Sequence, residues 1–357
     1  MPRDNPASPL VSDYRIVVNG APLPVEVQTH LVSIVVDDDI SLPGMFTLEL
    51  VGSIDQTRNV AWIDDDKLFA VGLVVEVKLG YMNDLETLIV GEITGLEPEF
   101  AIDRLPSLTV RGYDRRHRLH RGRKTRTFVR QTDSNIVSQI ASEAGLSAKC
   151  TDSQVRHEYV VQAHQTDMEF LQERARLIQY ELKVDDRTLI FRPVSNADSE
   201  VATLTMEDDL LEFYPRLSSV VQVSEVTVHG WDPKEKKGIV GRARKGDEVS
   251  TMGGQKSGAA LVASAFGAAD GGLSRHPVMT QAEADQIAKA RFNDKVLALI
   301  MGEGVCLGRT DIRPGTVIKL NGLGKRFSGN YYVTAAVHRY SAGRGYTTHF
   351  SVRRNAA

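Results

Sequence analysis

Cysteine is nearly absent from this chain of 357 residues. Cys150 and Cys306 are the only two. Thiols so far apart form neither a metal knuckle nor a disulfide framework, and they point to a reducing compartment. Aromatic residues are sparse, at 6%. No apolar run approaches the roughly 20 residues a membrane helix needs, so no membrane insertion is expected. The stretch Met1–Leu10 lacks the basic-then-apolar layout of a secretory signal. A net charge of -3 gives no global pull toward nucleic acid or anionic lipid. Nucleophile elbow, P-loop and dinucleotide fingerprint are all missing. Gly241-Arg-Ala-Arg-Lys-Gly246 is not a Walker sequence, and Gly302-Glu-Gly304 reads as a helix C-cap. A β-rich chain without a recognisable acid/base constellation argues against an enzyme, although site residues need not be neighbours in sequence.

What is present is ordinary globular material, 42% apolar and 25% charged. The first hundred residues read as strands: Tyr14–Gly20, Val25–Val36, the alternating Phe46–Val51, Val71–Leu79, Thr87–Leu96 and Ser107–Arg111. Turn chemistry separates them at Pro43-Gly44, Asn83-Asp84 and Asp103. Six strands at this spacing suggest an antiparallel barrel or sandwich.

The middle changes period. Ile136, Val137, Ile140 and Ala144 share one helical face, with caps at Thr132–Ser134 and Gly145. Thr166-Asp-Met-Glu169 is a capping box that opens a second helix, with Met168, Leu171, Ala175 and Ile178 as its stripe. A hairpin follows, Glu181–Val184 and Thr188–Arg192 around Asp185-Asp186. The last part returns to strands: Val220–Val228, Thr316–Leu320, Tyr331–Tyr340 and Thr347–Arg353. Between them, Lys236–Gly272 holds nine glycines and reads as a long mobile loop. A further capping box, Thr280–Glu283, starts a helix through Ile287, Phe292 and Val296 that is expected to end near Gly302. Val317–Gly322, Tyr332–Val337 and Thr348–Arg353 echo Val75–Gly80, Ile89–Ile93 and Ser107–Arg111. The architecture drawn from this is mainly β with an α/β middle unit, two copies of one β module flanking the unit.

Three features invite a functional reading. His117-Arg-Leu-His120 has metal-ligand spacing but sits among arginines, which repel a cation, so no metal site and no cofactor are expected. His229, His338 and His349 fall on expected strands as surface or hydrogen-bonded core residues. The acidic triplets Asp37–Asp39, Asp64–Asp66 and Glu207–Asp209 lack EF-hand spacing and read as solvated turns. The basic run Arg111–Arg130 is the third: nine Lys/Arg against Asp114, a local charge of +8 that leaves -11 for the rest. It could neutralise phosphates, meet an acidic face of a neighbouring subunit, or be a solvated face. With only Tyr113 and Phe128 interleaved, base stacking is disfavoured and nucleic acid is not the expected partner. The subunit reading is preferred. It makes Arg115, Arg116, Arg118, Arg121, Arg123, Lys124 and Arg126 the candidate interface, and Glu in place of Arg115, Arg116, Arg118 and Arg121 should weaken assembly.

Four stretches, in order, carry a resemblance over most of the chain: Val110-Arg-Gly-Tyr-Asp-Arg-Arg-His-Arg-Leu119; Gln165-Thr-Asp-Met-Glu-Phe-Leu171 with Tyr180 and Leu189-Ile-Phe191; Val226-Thr-Val-His-Gly-Trp-Asp-Pro233; and Gly329–His338 with Gly345–Val352. The sequence resembles the phage late control D family, the baseplate hub of contractile tails. It is similar to the N-terminal hub portion of VgrG and of extracellular contractile injection system spike proteins. The resemblance implies two tail-tube-like antiparallel β-barrel modules per chain: residues 1–114, then 199–235 with 281–357. An α/β unit at 115–198 would lie between them, and 236–280 would be a Gly/Ala-rich loop insertion. It also implies a homotrimer, a pseudo-hexameric ring that adapts a sixfold inner tube to a threefold spike and nucleates tube assembly. The partners would be the inner tube protein, a trimeric spike protein or spike domain, and baseplate proteins. The product would be made in the bacterial cytoplasm and built into a phage tail or injection particle. Spike-fused relatives continue past the last strand, whereas this sequence ends at Ala357, so piercing chemistry is expected elsewhere. The alternatives are a nucleic-acid-binding protein using 111–130 and a cell-wall hydrolase with a dispersed site.

Overall fold

The computed structural model of the chain describes residues 11–52, 62, 65–82, 84–272 and 277–357. Met1–Leu10, Asp64 and Asn83, each part of an expectation above, lie outside the described residues. Strands dominate. The first half holds β1 (Ser12–Val18), β2 (Ala21–Pro22), the single-turn α1 (Val25–Gln28), β3 (Leu31–Asp39), β4 (Met45–Val51), β5 (Val74–Tyr81), β6 (Asp84–Glu99) and β7 (Ser107–Tyr113). A 3-10 turn at Arg115–His120 leads into the middle unit. That unit has β8 (Lys124–Thr132), α2 (Asp133–Glu143), β9 (Ser147–Cys150), β10 (Arg156–Gln165), α3 (Asp167–Leu177), β11 (Tyr180–Asp185) and β12 (Thr188–Pro193). The last part runs β13 (Glu200–Thr205), β14 (Leu210–Leu217), β15 (Glu225–Asp232), β16 (Lys237–Arg244), α4 (Gly258–Phe266), α5 (Gln281–Leu297), β17 (Ile300–Leu307), β18 (Val317–Asn321), α6 (Gly324–Phe327), β19 (Gly329–Ser341) and β20 (Gly345–Arg354).

Both β modules belong to one 13-stranded sheet. The first half-sheet has the order β3-β4-β7-β6-β5-β1, and the second β14-β17-β20-β19-β18-β13. Strand for strand the order is the same, and β19 joins the halves by pairing with β3. Two of the irregularities repeat too. Thr94 is the extra residue between Ile93 and Gly95 where β6 meets β7, and Thr334 is the extra residue between Val333 and Ala335 where β19 meets β20. Val32 bulges from β3 against β4, and Leu211 bulges from β14 against β17. Bulges fix twist and register, so their recurrence makes the halves copies of one module. The echo in sequence picked the right strands but aligned β20 with β7 two residues out. The period of two kept the faces correct despite the slip.

Each half-sheet curls round its own core. Ile16, Ile34, Phe46, Leu48, Val77 and Val110 fill the first. Leu204, Leu210, Ile300, Ile318, Tyr331 and Phe350 fill the second. The halves are two curled β modules that run on into one continuous sheet. The second is also not wholly antiparallel, because β13 runs parallel to β18 whereas β1 runs antiparallel to β5.

Four expectations need correcting. Val25–Gln28 is a helical turn, not the start of a strand: Pro24 sits at its N-cap and Val27 alone is buried. The region 236–280 is not a loop insertion. Ile239, Gly241 and Ala243 alternate inward along β16, which pairs with β15, and α4 follows. Here glycine serves packing, since a Cβ at Gly241 would lie 2.3 Å from the backbone of Ala284 on α5. β15, β16 and α5 therefore share a separate core with Val226, Val228, Ile287 and Phe292. Residues 225–232 and 281–297 stand with this insertion, not with the second β module. Helix α5 stops at Ala298, short of Gly302, because Ile300 already pairs with Arg354. The insertion fills the connection between β14 and β17, where the first module has only the short turn between β3 and β4.

Gly112 shows how tight the first core is. A Cβ there would meet the Phe46 ring at 2.2 Å and the Glu92 carbonyl at 2.5 Å. Gly112→Ala is therefore expected to cost about 1–3 kcal/mol by overpacking, read as a lowered urea midpoint. Gly343→Ala, with open space around it, should leave the midpoint unchanged.

Candidate assembly interface and the buried charge junction

The segment that should carry an interface begins as the end of β7. Asp114 caps the 3-10 turn by accepting from the Arg116 backbone N–H at 2.8 Å. The turn aims two consecutive guanidiniums, those of Arg115 and Arg116, inward. Arg116 is 1% exposed. It donates to Asp114 (2.8 Å), to Asp38 (3.4 Å) and to the backbone carbonyl of Asp39 (3.1 Å). Arg115 is equally enclosed, donating to Glu92 at 3.3 Å and to Asp186. Arg118 grips the same Glu92 at 2.9 Å, and His117 Nε2 lies 2.9 Å from it. Further along, Arg123 holds Glu169 bidentately at 3.0 Å. Lys124 reaches Asp167 at 2.6 Å, and Arg126 bonds Gln162 and Asp167 at 2.7 Å as well as Glu143.

Arg121 is exposed and has no ion pair among the described residues. The other six candidates are matched within the chain. Arg115 and Arg116 cannot serve as a subunit surface, because both are buried. The reason is local: β7 ends beside the acidic end of β3 and beside Glu92, and the positive charge is consumed there. Asp38 is correspondingly not a solvated turn residue, at 6% exposure. Asp39 does make a turn, accepting from the Ser41 and Leu42 N–H groups. Glu in place of Arg115, Arg116, Arg118 and Arg121 would disrupt the fold before it could test assembly.

Asp38 is the meeting point of three units. Arg313, from the loop before β18, donates to it at 3.1 Å and to the Leu88 carbonyl at 2.6 Å. Lys183 approaches from β11. Burial alone would raise the Asp38 carboxyl, yet Arg313, Lys183 and Arg116 together hold it below the usual carboxylate range. Burial likewise works against charged Arg116, but Asp114, Asp38 and Asp39 together outweigh it, so its pKa is raised. Nearby, Tyr332 of β19 donates to Glu181 of β11, which also accepts from Arg192 at 2.6 Å. Arg192 and Ser195 both donate to the Gly315 carbonyl. The middle unit is thus bonded to both half-sheets. A cleft of about 350 Å³ lies where it meets the second half-sheet and α5, lined in part by Arg176, Glu181, Arg291, Asp294 and Arg353.

A second buried cluster ties the middle unit to the insertion. Arg174 holds Asp133 at 2.6 Å, and His157 lies between Asp133 (3.2 Å) and Glu283 (3.3 Å). Glu283 accepts from the Met279 N–H instead of closing the expected box with Thr280. In α3 the box is complete in both directions.

This chemistry is structural. Among the described residues no group of three His, Cys, Asp or Glu side chains is arranged to hold a metal. Burial pushes the Cys306 thiol up to about 12, so it is inert as a nucleophile. Among the described residues no helix is long and apolar enough to cross a membrane.

Two curled copies of one β module, with two smaller units attached, define a fold found in tail proteins. The 43 kDa tail protein of prophage MuSo2 from Shewanella oneidensis is similar at a TM-score of 0.70 and 15% identity, over 96% of this chain and 98% of that one. A tail protein from Neisseria meningitidis MC58 is similar at 0.68 and 14%, over 96% of each chain. The E. coli c3393 protein, described as a component of the type VI secretion system, is similar at 0.62 and 14%, over 96% of this chain and 77% of that one. No curated protein matches in sequence. The chain belongs to the Alg8 N-terminal domain family, whose model matches residues 8–342. That description names neither a reaction nor late control D.

Two outcomes test the junction. Arg116→Met should lower stability by about 3–5 kcal/mol, because it strands buried carboxylates. Arg121→Met should stay within about 0.5 kcal/mol of the parent. Chemical unfolding reads both. His338, fully buried beside Tyr346, is pushed down to about 3 by burial, with Arg313 next. Unfolded, it takes a proton near 6.5. Between those values the unfolded chain binds the extra proton, so stability falls as pH falls, by up to about 1.4 kcal/mol per pH unit. His157 is raised despite its burial, by Asp133 and Glu283. Its contribution is present below about 6.5 and is lost as pH rises through the raised value. His338→Gln should therefore flatten the loss between pH 6.5 and 5, whereas His157→Gln should not.

Proposed function

We propose that this protein is a non-enzymatic structural hub of a contractile tail or injection machine, related to the late control D and VgrG hubs. The observation that carries the reading is the internal duplication: one strand order and the same two bulges, present twice in one polypeptide. A ring of single modules and a ring of paired modules can share a stacking surface only if the number of modules is equal. A trimer of this chain offers six modules, so it matches a sixfold inner tube on one face and a threefold spike on the other. The middle unit and the insertion break the sixfold repeat, since each occurs once per chain. They are the parts suited to spike and baseplate partners. On this reading the chain is made in the bacterial cytoplasm and becomes part of an assembled particle.

The likeness of fold to tail and type VI secretion proteins supports the reading. The basic run gives little support to the nucleic-acid alternative, because its cations are engaged internally.

Native mass spectrometry of the purified chain, alone and with its tube protein, tests the proposal. Three copies and co-assembly with the tube are the expected result. A monomer at all concentrations that leaves tube polymerisation unaffected would refute it.

A further inference from the structure

Most cations of the basic run are matched within the chain, but three arginines around one cleft are not. The cleft, about 350 Å³, opens where the middle unit, the second half-sheet and the insertion meet. Arg176 stands on α3, Arg291 on α5 and Arg353 on β20. Arg176 is exposed and has no ion pair among the described residues. Arg291 has none either, and its Nε is buried without an acceptor. An unpaired buried donor is costly and gains most from an incoming acceptor. Arg353 comes only within 3.7 Å of Asp294, with both side chains exposed, a pair worth little. The other carboxylate of the cleft, Glu181, is already engaged by Arg192 at 2.6 Å and by Tyr332. Asp294 alone is left to balance three guanidiniums.

Beside the charges lies an apolar floor. Ile40, Val194, Leu297 and Tyr332 all line the cleft and pack in one small cluster. The walls are fixed. Gln172 of α3 donates to the Ser41 carbonyl, and Tyr332 of β19 is tied to Glu181 of β11. A site held in this way loses little freedom on binding.

We infer that this cleft binds an acidic peptide segment of a partner protein. An apolar side chain of the segment sits on the floor, and carboxylates to either side of it are gripped by Arg176, Arg291 and Arg353. The inference rests on the hub reading for the partner, a spike or baseplate protein, and on the cleft alone for the chemistry.

Three arguments favour this occupant. First, guanidinium and carboxylate pair fork to fork, and clustered arginines read acidic motifs. Second, the floor offers burial to an aliphatic or aromatic anchor, which a bare anion does not use. Nucleic acid fits less well, because a strand needs a basic track with rings for stacking, and here the charges surround a single pocket. Third, the walls come from three units. One bound segment therefore spans the middle unit, the second half-sheet and the insertion and holds them together. A ligand that binds only the folded chain raises its stability.

A displayed library of random peptides tests the chemistry without presuming a sequence. Selection runs on the full chain, with counter-selection on Arg291→Gln/Arg353→Gln. Glutamine keeps a donor at each place and neither arginine holds a buried ion pair, so this variant should unfold at the parent's urea midpoint. Peptides with acidic residues around an apolar one should be enriched on the parent and not on the variant. The leading peptide, labelled with fluorescein and followed by anisotropy, should bind the parent saturably, raise its urea midpoint and weaken as salt is added. Binding should fall about tenfold or more in Arg291→Gln/Arg353→Gln and about threefold in Arg176→Gln. Arg121→Gln, an exposed arginine outside the cleft, should leave it unchanged. Serine in place of the peptide's apolar residue should cost about tenfold. Enrichment of basic or uncharged peptides, equal binding by the parent and the double variant, or full displacement by a thymidine oligonucleotide would overturn the inference. A trimer by native mass that binds no acidic peptide overturns it and leaves the hub reading standing. A monomer that binds one overturns the hub reading and leaves the chemistry of the cleft.

Discussion

The arrangement depends on a buried knot of charge around Asp38. A carboxylate at 6% exposure is costly unless its partners are held rigidly. Its partners come from three directions: Arg116 after β7, Arg313 before β18, and Lys183 on β11. Because Asp38 also lies in the β19–β3 ladder opposite Ala336, the knot sits at the seam where the two half-sheets become one. Apolar packing could hold two sheets together in several registers. Fixed hydrogen-bond geometry at Asp114, Asp38, Leu88 and Leu182 admits few. The relative placement of the modules is set by this polar seam more than by either core.

The duplication also shows where a copied module can vary. The core faces kept their period but exchanged residues. In the first half the Phe46 ring lies over Gly112 and Gly91. In the second, Phe350 lies over Gly304 and Phe213 over Gly302. Gly302 stands where Phe46 does and Val352 where Gly112 does, so the contact of ring on glycine was rebuilt at other positions, with Phe213 and Phe350 supplying the rings. Edges varied more freely. β13 joined its sheet in the opposite sense to β1, and the turn between β3 and β4 became, in the second half, a connection holding a hairpin and two helices. Turns and edges tolerate such change because few ladder bonds depend on them.

Much of this was legible in sequence where local chemistry decided the outcome. The capping box at Thr166 and Glu169, the hairpin at Asp185-Asp186 and the alternation in Phe46–Val51 each emerged as read. Other strands were hidden by residues that argue against strands. β14 carries Pro215 and β17 carries Gly302 and Gly304, and only the facing rings of Phe213 and Phe350 explain them. β8 was concealed by its own charge: Lys124, Arg126 and Arg130 read as a basic tract, although Phe128 marks the buried position of a strand. The buried role of Arg115 and Arg116 could not be read from the run alone, since their acidic partners lie at Asp38, Glu92 and Asp186. One signal was available. Asp114 two residues before Arg116 is a cap, and a cap implies an ordered turn rather than a solvated tract.

The fate of the basic run changes what can drive association. A segment of +8 beside a remainder of -11 looks like the two halves of an electrostatic interface. Folding joins them within one chain, so the field that long-range steering would need is largely cancelled. Among the described residues, backbone remains unpaired along the last part of β6 and the outer sides of β14 and β13. Backbone edges carry no sequence signature of their own, and their direction and register can be copied only by another strand of matching twist and bulge.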